Sequence, residues 1–212
     1  MKTVAEFKDI SYYQNFNIYD HFKEKLPNEI KRFSSVRTFK KGELIYIPGE
    51  ILHHMFEIVE GAVKLGSYSE DGEEVIYDVL SKGDFFGNLK YLNGQFFEFS
   101  KVLADTKVRF YDLAFFKEAI VSDHEISDWF HYYLVKRWCS AELKIVKINA
   151  KNVMEKLQFL YDRFGYTIED ANGKKFVLFD LLTKKDLGDI IGATRQTVAS
   201  SLKKFKAEMV MA

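Results

Sequence analysis

The order of apolar and polar positions divides the chain into three stretches. Over residues 14–34, apolar side chains recur three and four positions apart, which predicts a helical lead-in. Over residues 36–113 the pattern changes to short β-rich runs separated by glycine turns, and Asp71-Gly72 between two alternating runs predicts a hairpin. From about Ser122 the helical period returns. The pattern therefore predicts a β-sandwich or barrel followed by a helical region.

The helical region begins with a long seam. Its apolar positions, again three and four residues apart, are Phe130, Leu134, Trp138, Ala141, Ile145 and Ile148. A seam of this length is typical of a helix that pairs with its copy in a second subunit, and it predicts a dimer interface. In the alternative interpretation the helix only covers the sheet. Asn149 and Ala150 indicate a hinge, residues 153–164 a helix ended by Gly165, and residues 174–178 a short strand.

Two short amphipathic helices follow. Thr183 and Thr194 are each placed to cap the start of a helix, and Gly192 permits the sharp turn between the two helices. This pattern predicts a helix-turn-helix whose second helix enters the major groove of DNA, with a solvated helical hairpin as the alternative. The side chains expected to reach DNA are Thr183, Thr194, Arg195, Gln196, Thr197, Ser200, Ser201, Lys203 and Lys204.

Charge supports the DNA interpretation. Between Thr183 and Lys206 six basic residues face two acidic ones, a local charge of +4 in a chain whose formal net charge is zero. The basic residues are Lys184, Lys185, Arg195, Lys203, Lys204 and Lys206, and the acidic ones are Asp186 and Asp189. A basic face is the electrostatic footprint of nucleic-acid binding. Arginine pairs with guanine and glutamine with adenine, whereas lysines contact phosphates.

Composition excludes several other classes of protein. With 212 residues, 47% of them hydrophobic and 29% charged, the chain is expected to form one or two globular domains. No apolar run approaches the roughly 20 residues of a membrane span, and the charged N-terminus is unlike a signal peptide, so no membrane partner and a cytoplasmic location are expected. The single cysteine, Cys139, excludes an internal disulfide framework. The adjacent His53 and His54 do not make a metal site, and no catalytic constellation indicates an enzyme.

With these motifs assembled, residues 20–206 resemble the Crp–Fnr family of bacterial transcription regulators. The segments that carry the resemblance are Lys41-Gly42-Glu43, Gly49-Glu50, Ile58 to Val63, Gly83-Asp84-Phe85-Phe86-Gly87 and Leu182 to Val198. The resemblance implies an α+β chain with an N-terminal β-roll (jelly-roll-like) sensor domain over residues 1–121. A dimerisation helix and hinge over residues 122–149 and a helix-turn-helix DNA-binding domain over residues 150–212 complete the implied order.

The implied function is sequence-specific regulation of transcription by a homodimer on a palindromic operator, with double-stranded DNA and RNA polymerase as partners. The alternative is a cyclic-nucleotide-type regulatory subunit that acts on a protein partner and has no need of Thr194 to Thr197.

The chain departs from the family at the effector pocket. Members that bind cyclic AMP place an acidic residue after Gly-Asp-Phe-x-Gly for the ribose, and about ten residues later an arginine and a small hydroxyl residue for the phosphate. Here those places hold Asn88 and roughly Glu98-Phe99-Ser100, and a carboxylate would repel the phosphate. Cyclic AMP is therefore not expected. No iron–sulfur cluster is expected either, because the N-terminal segment has no cysteine.

The expected pocket residues are Phe86, Gly87, Asn88, Leu89, Glu98, Phe99 and Ser100. Three interpretations stay open, and the effector remains unknown. Nearby aromatic side chains fill the pocket as core, or the pocket takes an apolar effector, or a shifted loop register still binds a nucleotide. The aromatic residues are Phe85, Phe86, Tyr91, Phe96, Phe97 and Phe99, and the nearest cations are Lys90 and Lys101.

A second departure lies after the last predicted helix. Family members continue into a β-hairpin wing, but only seven residues follow Phe205 here. This length is too short for an ordinary hairpin. The expectation is a reduced or absent wing, or a helix that simply extends.

Overall fold

The computed structural model describes residues 10–50, 52–90, 97–150 and 152–211, and it places helices on either side of a β-rich middle region. The first helices are α1 Ile10–Asn15, α2 Ile18–Lys25 and α3 Pro27–Phe33. The strands of the middle region are β1 Ser34–Phe39, β2 Leu44–Tyr46, β3 His54–Glu60, β4 Ala62–Tyr68, β5 Glu74–Ser81, β6 Phe85–Phe86, β7 Phe99–Val102 and β8 Thr106–Asp112. Two helices follow, α4 Leu113–Ser122 and α5 His124–Ile148. The remaining elements are α6 Val153–Phe164, β9 Thr167–Glu169, β10 Lys175–Val177, α7 Leu178–Leu181, α8 Lys184–Ile191 and α9 Arg195–Met211.

The eight strands of the middle region form two antiparallel sheets that face each other. Their strand orders are β1-β8-β3-β6 and β2-β7-β4-β5, so β5 is an edge strand. Ile58, Val63 and Val108 are fully buried in the core between the sheets. The predicted hairpin joins β4 and β5, where Tyr68 pairs with Glu74 and Gly72 has a φ of 78°. The predicted β-roll is therefore confirmed.

The predicted helical lead-in is divided into separate helices, and each of two new helices begins at a residue suited to a helix start. The side chain of Asn17 accepts hydrogen bonds from the N–H groups of Tyr19 and Asp20 at 3.0 and 3.1 Å, which begins α2. Pro27 occupies the first turn of α3, where its missing N–H costs nothing. The sequence analysis did not predict β1, because the four residues 35–38 are all exposed and show no apolar alternation. This strand is held by its pairing with β8.

Helix α5 crosses from the β-roll to the C-terminal part of the chain and leaves one face uncovered. Its N-cap is Asp123, whose carboxylate accepts from two backbone N–H groups. Leu134, Trp138 and Ile145 are 46%, 68% and 62% exposed, whereas Phe130 is only 5% exposed. Phe130 therefore belongs to the core formed with α4 and the roll, and its place at the start of the predicted seam is corrected.

The C-terminal elements pack against the outer face of the second sheet. Ile76, Val79 and Phe99 of the roll share one buried cluster with Leu187 and Ile190 of α8. The hairpin of β9 and β10 is anchored to the roll as well, since the Gly61 N–H donates to the Glu169 carbonyl at 2.9 Å. Helix α6 ends at Gly165 as expected, and the predicted strand at residues 174–178 is observed as β10.

No strand follows the second helix of the C-terminal pair within the described residues. Helix α9 instead continues to Met211, so of the two expected arrangements the described residues show the extended helix. In the part of the chain that the structure describes, no helix combines the length and the apolarity that crossing a bilayer requires. The proposed boundaries at residues 121 and 149 stay a prediction.

Candidate nucleic-acid interface and sensor cavity

Helix α8 begins with a reciprocal cap. The Asp186 N–H donates to the Thr183 hydroxyl at 3.1 Å, and the Thr183 N–H donates to the Asp186 carboxylate at 2.9 Å. This capping box satisfies two backbone donors that a helix start would otherwise leave without partners. The Thr183 side chain is thus occupied by the cap, although the residue remains exposed.

The turn between α8 and α9 depends on two glycines. Gly192 has φ 63° and ψ 44°, a left-handed conformation that favours glycine. The sequence analysis did not single out Gly188, yet a Cβ built there would lie 2.5 Å from the Ala193 carbonyl oxygen. The Ala193 N–H donates to the Gly188 carbonyl at 2.9 Å, so the close approach belongs to the turn itself. Together the two glycines fix the angle at which α9 leaves α8.

Helix α9 has a buried face and an exposed face. Val198 and Phe205 are buried against α6 and α7, while Thr194 caps the helix by accepting from the Thr197 N–H at 3.1 Å. The exposed residues of the predicted DNA-binding set are Thr183, Thr194, Arg195, Gln196, Ser200, Lys203 and Lys204, whereas Thr197 and Ser201 are half-buried. Gln196, Ser200 and Lys203 follow one another at four and three residues and share one face of the helix.

At least two of the six cations counted in the sequence pair with acidic side chains of the chain itself. The Lys185 ammonium donates to the Glu74 carbonyl and pairs with Asp189 at 3.0 Å, so it points toward the β-roll. Lys206 pairs with Asp180 at 2.8 Å. The net positive charge of this surface is therefore smaller than the sequence count suggests. The other four cations, Lys184, Arg195, Lys203 and Lys204, are all exposed.

The opposite side of α8 is attached to the β-roll by a buried ion pair. The Lys64 ammonium lies 2.7 Å from the Asp186 carboxylate, and the two side chains are 11% and 4% exposed. Lys64 also lies 3.6 Å from Glu74. Beside this pair, the Ile76 N–H on the open edge of β5 donates to the Asp189 carboxylate at 3.1 Å. Residues distant in the sequence thus join the second sheet of the roll to α8, the first helix of the helix-turn-helix.

The interior of the β-roll holds a carboxylate surrounded by aromatic side chains. Glu98 accepts hydrogen bonds from the hydroxyls of Tyr46 and Tyr77. Burial raises the pKa of the Glu98 carboxyl, although both hydrogen bonds act in the opposite direction. Burial and the nearby Glu98 charge likewise raise the pKa of Tyr46 and of Tyr77. This arrangement satisfies the carboxylate from within the chain.

The predicted pocket residues divide between two faces of β7. Ser100 is fully buried, and its hydroxyl has no hydrogen-bond partner in the described structure. Phe99 packs on the outer face with Tyr68, their ring centroids 5.1 Å apart, and belongs to the cluster shared with α8. Phe99 is therefore not a pocket residue, because alternation along the strand turns it away from the interior.

The other predicted residues surround two small cavities. Asn88 and Glu98 line a cavity of 60 Å³, and Gly87, Leu89 and Glu98 line another of 220 Å³. Phe86 stacks on Phe56 at 5.1 Å and fills the space between the sheets. Tyr91 and Phe96, also expected near the pocket, lie outside the described residues.

Among the described residues, one cluster of potential metal ligands that the sequence analysis did not predict lies where α2 meets the start of α5. His21, Asp123 and Glu125 bring ligand atoms within 4.8 Å of one another. Within it His21 bonds Asp123 at 2.8 Å, and Lys25 lies 3.8 Å from Glu125. These contacts account for the cluster as an internal ion-pair network that ties α2 to α5.

A β-roll, a long helix with an uncovered apolar face and a pair of helices joined by a tight turn follow one another along the chain. The family described as "Cyclic nucleotide-binding domain" matches residues 36–123. The chain is 27% identical over 196 residues to the "Global nitrogen regulator" of Synechococcus elongatus, covering 89% of this chain and 83% of the relative. It is 25% identical over 173 residues to the "CRP-like cAMP-activated global transcriptional regulator" of Mycobacterium tuberculosis, covering 79% and 75%.

A solved structure supports the fold. TTHA1359, a transcriptional regulator of the CRP/FNR family from Thermus thermophilus, aligns with a TM-score of 0.64 at 18% identity over 82% of this chain and 87% of that one. The chain is similar in sequence to transcription regulators of the Crp–Fnr type, and it shares the fold of a solved member of that family. The resemblance drawn from its motifs is thereby confirmed.

The family match raises the question of whether the roll of this chain fits a cyclic nucleotide. The two cavities lined by predicted pocket residues, 60 and 220 Å³, lie below the roughly 300 Å³ at which small-molecule pockets begin. Glu98 presents a carboxylate to the interior, where a phosphate would meet a like charge. Ser100 alone offers an interior hydroxyl without a partner among the described residues. The described residues of the roll therefore do not fit a cyclic nucleotide.

We expect no micromolar binding of cyclic AMP or cyclic GMP, because the space is filled and the carboxylate would repel the phosphate. Calorimetric titration of the full chain with each nucleotide checks this expectation. Glu98→Gln is the matched variant, since it removes the charge and leaves the volume unchanged. It should also fail to bind. Micromolar binding by the unaltered chain would show that the interior opens in solution.

Proposed function

We propose that this chain is a non-catalytic transcription regulator that binds a palindromic DNA duplex as a homodimer through α9. The observation that carries the proposal is the exposed first turn of α9, where Arg195 and Gln196 stand beside a capped helix start. In a helix-turn-helix the first residues of the second helix meet base edges. A regulator of this kind works on the chromosome, so the cytoplasm is its proposed location and RNA polymerase its proposed further partner.

The side chains on α9 suit different parts of a duplex. Arg195 can pair bidentately with guanine, and Gln196 with adenine. Lys203 lies two turns further along, where a helix moves away from the base edges toward the phosphates. Hydrogen bonds within the first turns of α9 already engage the hydroxyl groups of Thr194, Thr197 and Ser200. Each hydroxyl can still form a further hydrogen bond, so we propose that these residues contact phosphates and do not read bases.

The uncovered face of α5 supports the homodimer. Leu134, Trp138, Ala141 and Ile145 are all exposed and recur at four, three and four residues. A stripe of this period is typical of paired helices. A two-fold dimer would present two copies of α9 to half-sites about one helical turn apart, which is the reason for expecting a palindrome.

Selection of bound duplexes from a random pool, followed by gel-shift titration, tests the proposal. Failure to enrich any sequence at moderate salt would contradict it. Enrichment of a palindrome would also argue against the alternative of a regulatory subunit for a protein partner, because such a subunit has no need of the exposed Arg195 and Gln196.

Substitutions on α9 should separate base reading from phosphate contact. Arg195→Ala is expected to cost about 1–3 kcal/mol on the best operator and to relax the preference at one base pair per half-site. Lys203→Ala should weaken binding to all duplexes alike and reduce the salt dependence by about one phosphate contact per subunit. Titration on the selected operator and on a scrambled duplex at several salt concentrations measures both effects. Equal losses of both variants on both duplexes would mean that the roles are wrongly assigned.

A further inference from the structure

A larger cleft, adjacent to the 220 Å³ cavity of the roll, opens where three elements converge. It has a volume of 380 Å³, within the range of small-molecule pockets, and it lies between the edge strand β5, helix α5 and the end of α6. The charged residues that line it are Asp78, Asp84, Lys136, Arg137, Lys144 and Arg163. Ser140 and three tyrosines, Tyr77, Tyr133 and Tyr166, also line the cleft.

One carboxylate in this cleft serves three cations. Asp78 lies 3.2 Å from the guanidinium of Arg137, 3.7 Å from the ammonium of Lys144 and 3.5 Å from the guanidinium of Arg163. Lys136 adds a fourth positive charge, and Asp84 is the second carboxylate among the described lining residues. Burial raises the pKa of Asp84, which works against its negative charge. Positive charge therefore exceeds negative charge in the cleft.

The pKa of Lys144 is consistent with this excess of positive charge. Burial lowers the pKa of its ammonium, Asp78 acts to raise it, and Arg163 and Arg137 lower it further. Its N–H group also donates to the Tyr77 carbonyl on the open edge of β5. A cation held among other cations in a partly buried site is stabilised by any anion that enters.

We propose that this cleft binds a small organic dianion, either a phosphate monoester or a dicarboxylate. Two guanidinium groups offer the planar forks that match phosphate or carboxylate oxygens, and Lys144 supplies a further charge between them. Asp78 occupies these cations in the absence of a ligand, so the anion competes with it. Because Arg163 lies on α6 and Arg137 on α5, the ligand would bridge the long helix and the C-terminal part of the chain.

Titration calorimetry of the full chain without DNA tests the proposal independently of DNA binding. The probes are inorganic phosphate, 5′-AMP and succinate at low ionic strength. Tighter binding of 5′-AMP would indicate a phosphate monoester, and tighter binding of succinate would indicate a dicarboxylate. We expect at least one of the three probes to bind the unaltered chain. Asp78→Asn should raise its affinity about tenfold, because it removes the competing carboxylate, and Lys144→Met should lower it about tenfold.

Lys147→Met is the matched control, since Lys147 is an exposed cation on the same helix outside the cleft, and it should leave the affinity unchanged. The ligand-induced rise in melting temperature gives a second measurement and shows that each variant is folded. Opposite responses of Asp78→Asn and Lys144→Met support the site. Absence of binding by every probe to both the unaltered chain and Asp78→Asn would overturn it, as would a loss on Lys147→Met equal to that on Lys144→Met.

Discussion

Leu134→Asp combined with Ile145→Asp is expected to yield a folded monomer that has lost its affinity for a palindromic duplex. Both side chains are exposed in the single chain, so the substitutions leave the core of the subunit intact. In the proposed dimer they would place four carboxylates in an apolar interface, at a cost of several kcal/mol each. Sedimentation at micromolar concentration should show the monomer, and affinity for a two-half-site duplex should fall about 100-fold or more, because the second half-site no longer adds to binding.

Leu143→Asp provides a matched control for this prediction. Leu143 is 48% exposed on the same helix, close to the exposure of Leu134, but nine residues away it faces the other side. The control should remain dimeric and bind the duplex normally. An unaltered chain that sediments as a monomer at micromolar concentration would contradict the dimer, as would dissociation caused equally by Leu143→Asp.

Lys64→Met is expected to destabilise the chain by about 3 kcal/mol, because it leaves the buried Asp186 carboxylate without its cation. Removing one partner of a buried ion pair leaves an uncompensated charge and is strongly destabilising, whereas replacing both partners by apolar residues often leaves the free energy of unfolding unchanged. Equilibrium unfolding by urea, followed by the fluorescence of the two tryptophans, measures the change in the free energy of unfolding.

The double variant Lys64→Met with Asp186→Asn should recover at least half of this loss. Asparagine keeps an oxygen that can accept from the Thr183 N–H, so the cap of α8 survives while the buried charge is removed. Lys23→Met is the surface control, since its partner Asp20 is exposed and such pairs contribute about 0.5 kcal/mol or less. A loss for Lys64→Met no larger than for Lys23→Met would mean that solvent reaches the Lys64–Asp186 pair.

The elements that the sequence predicted are those with local signals. Thr183, Gly192 and Thr194 act on backbone groups within four residues of themselves, so their positions alone predicted the caps and the turn. The Asp71-Gly72 hairpin was predictable for the same reason. Strand β1 had no such signal, because its exposed residues become a strand only through pairing with β8, 67 to 77 positions later in the chain.

The candidate sites were less predictable because they depend on contacts between distant residues. Nothing around Lys64 indicates that it meets Asp186, 122 positions away. Likewise, Phe99 and Glu98 were both expected in one pocket, yet neighbouring positions on a strand face opposite sides. Lys185 was counted toward a DNA-facing charge, but Glu74 and Asp189 hold it against the roll. Charge counting cannot determine which face of a helix the tertiary structure covers.

The open edge of β5 links the docking of α8 to the solubility of the chain. Its backbone groups at Glu74 and Ile76 are satisfied by side chains of α8, and the Tyr77 carbonyl by Lys144. An uncovered sheet edge is a template for strand addition by another chain, and folded proteins commonly block such edges. Any rearrangement that lifts α8 from the roll would expose this template. A form of the chain in which α8 has left the roll should therefore self-associate more readily than the form in which α8 is packed on it. DNA or a partner subunit would then have to protect the exposed edge from aggregation.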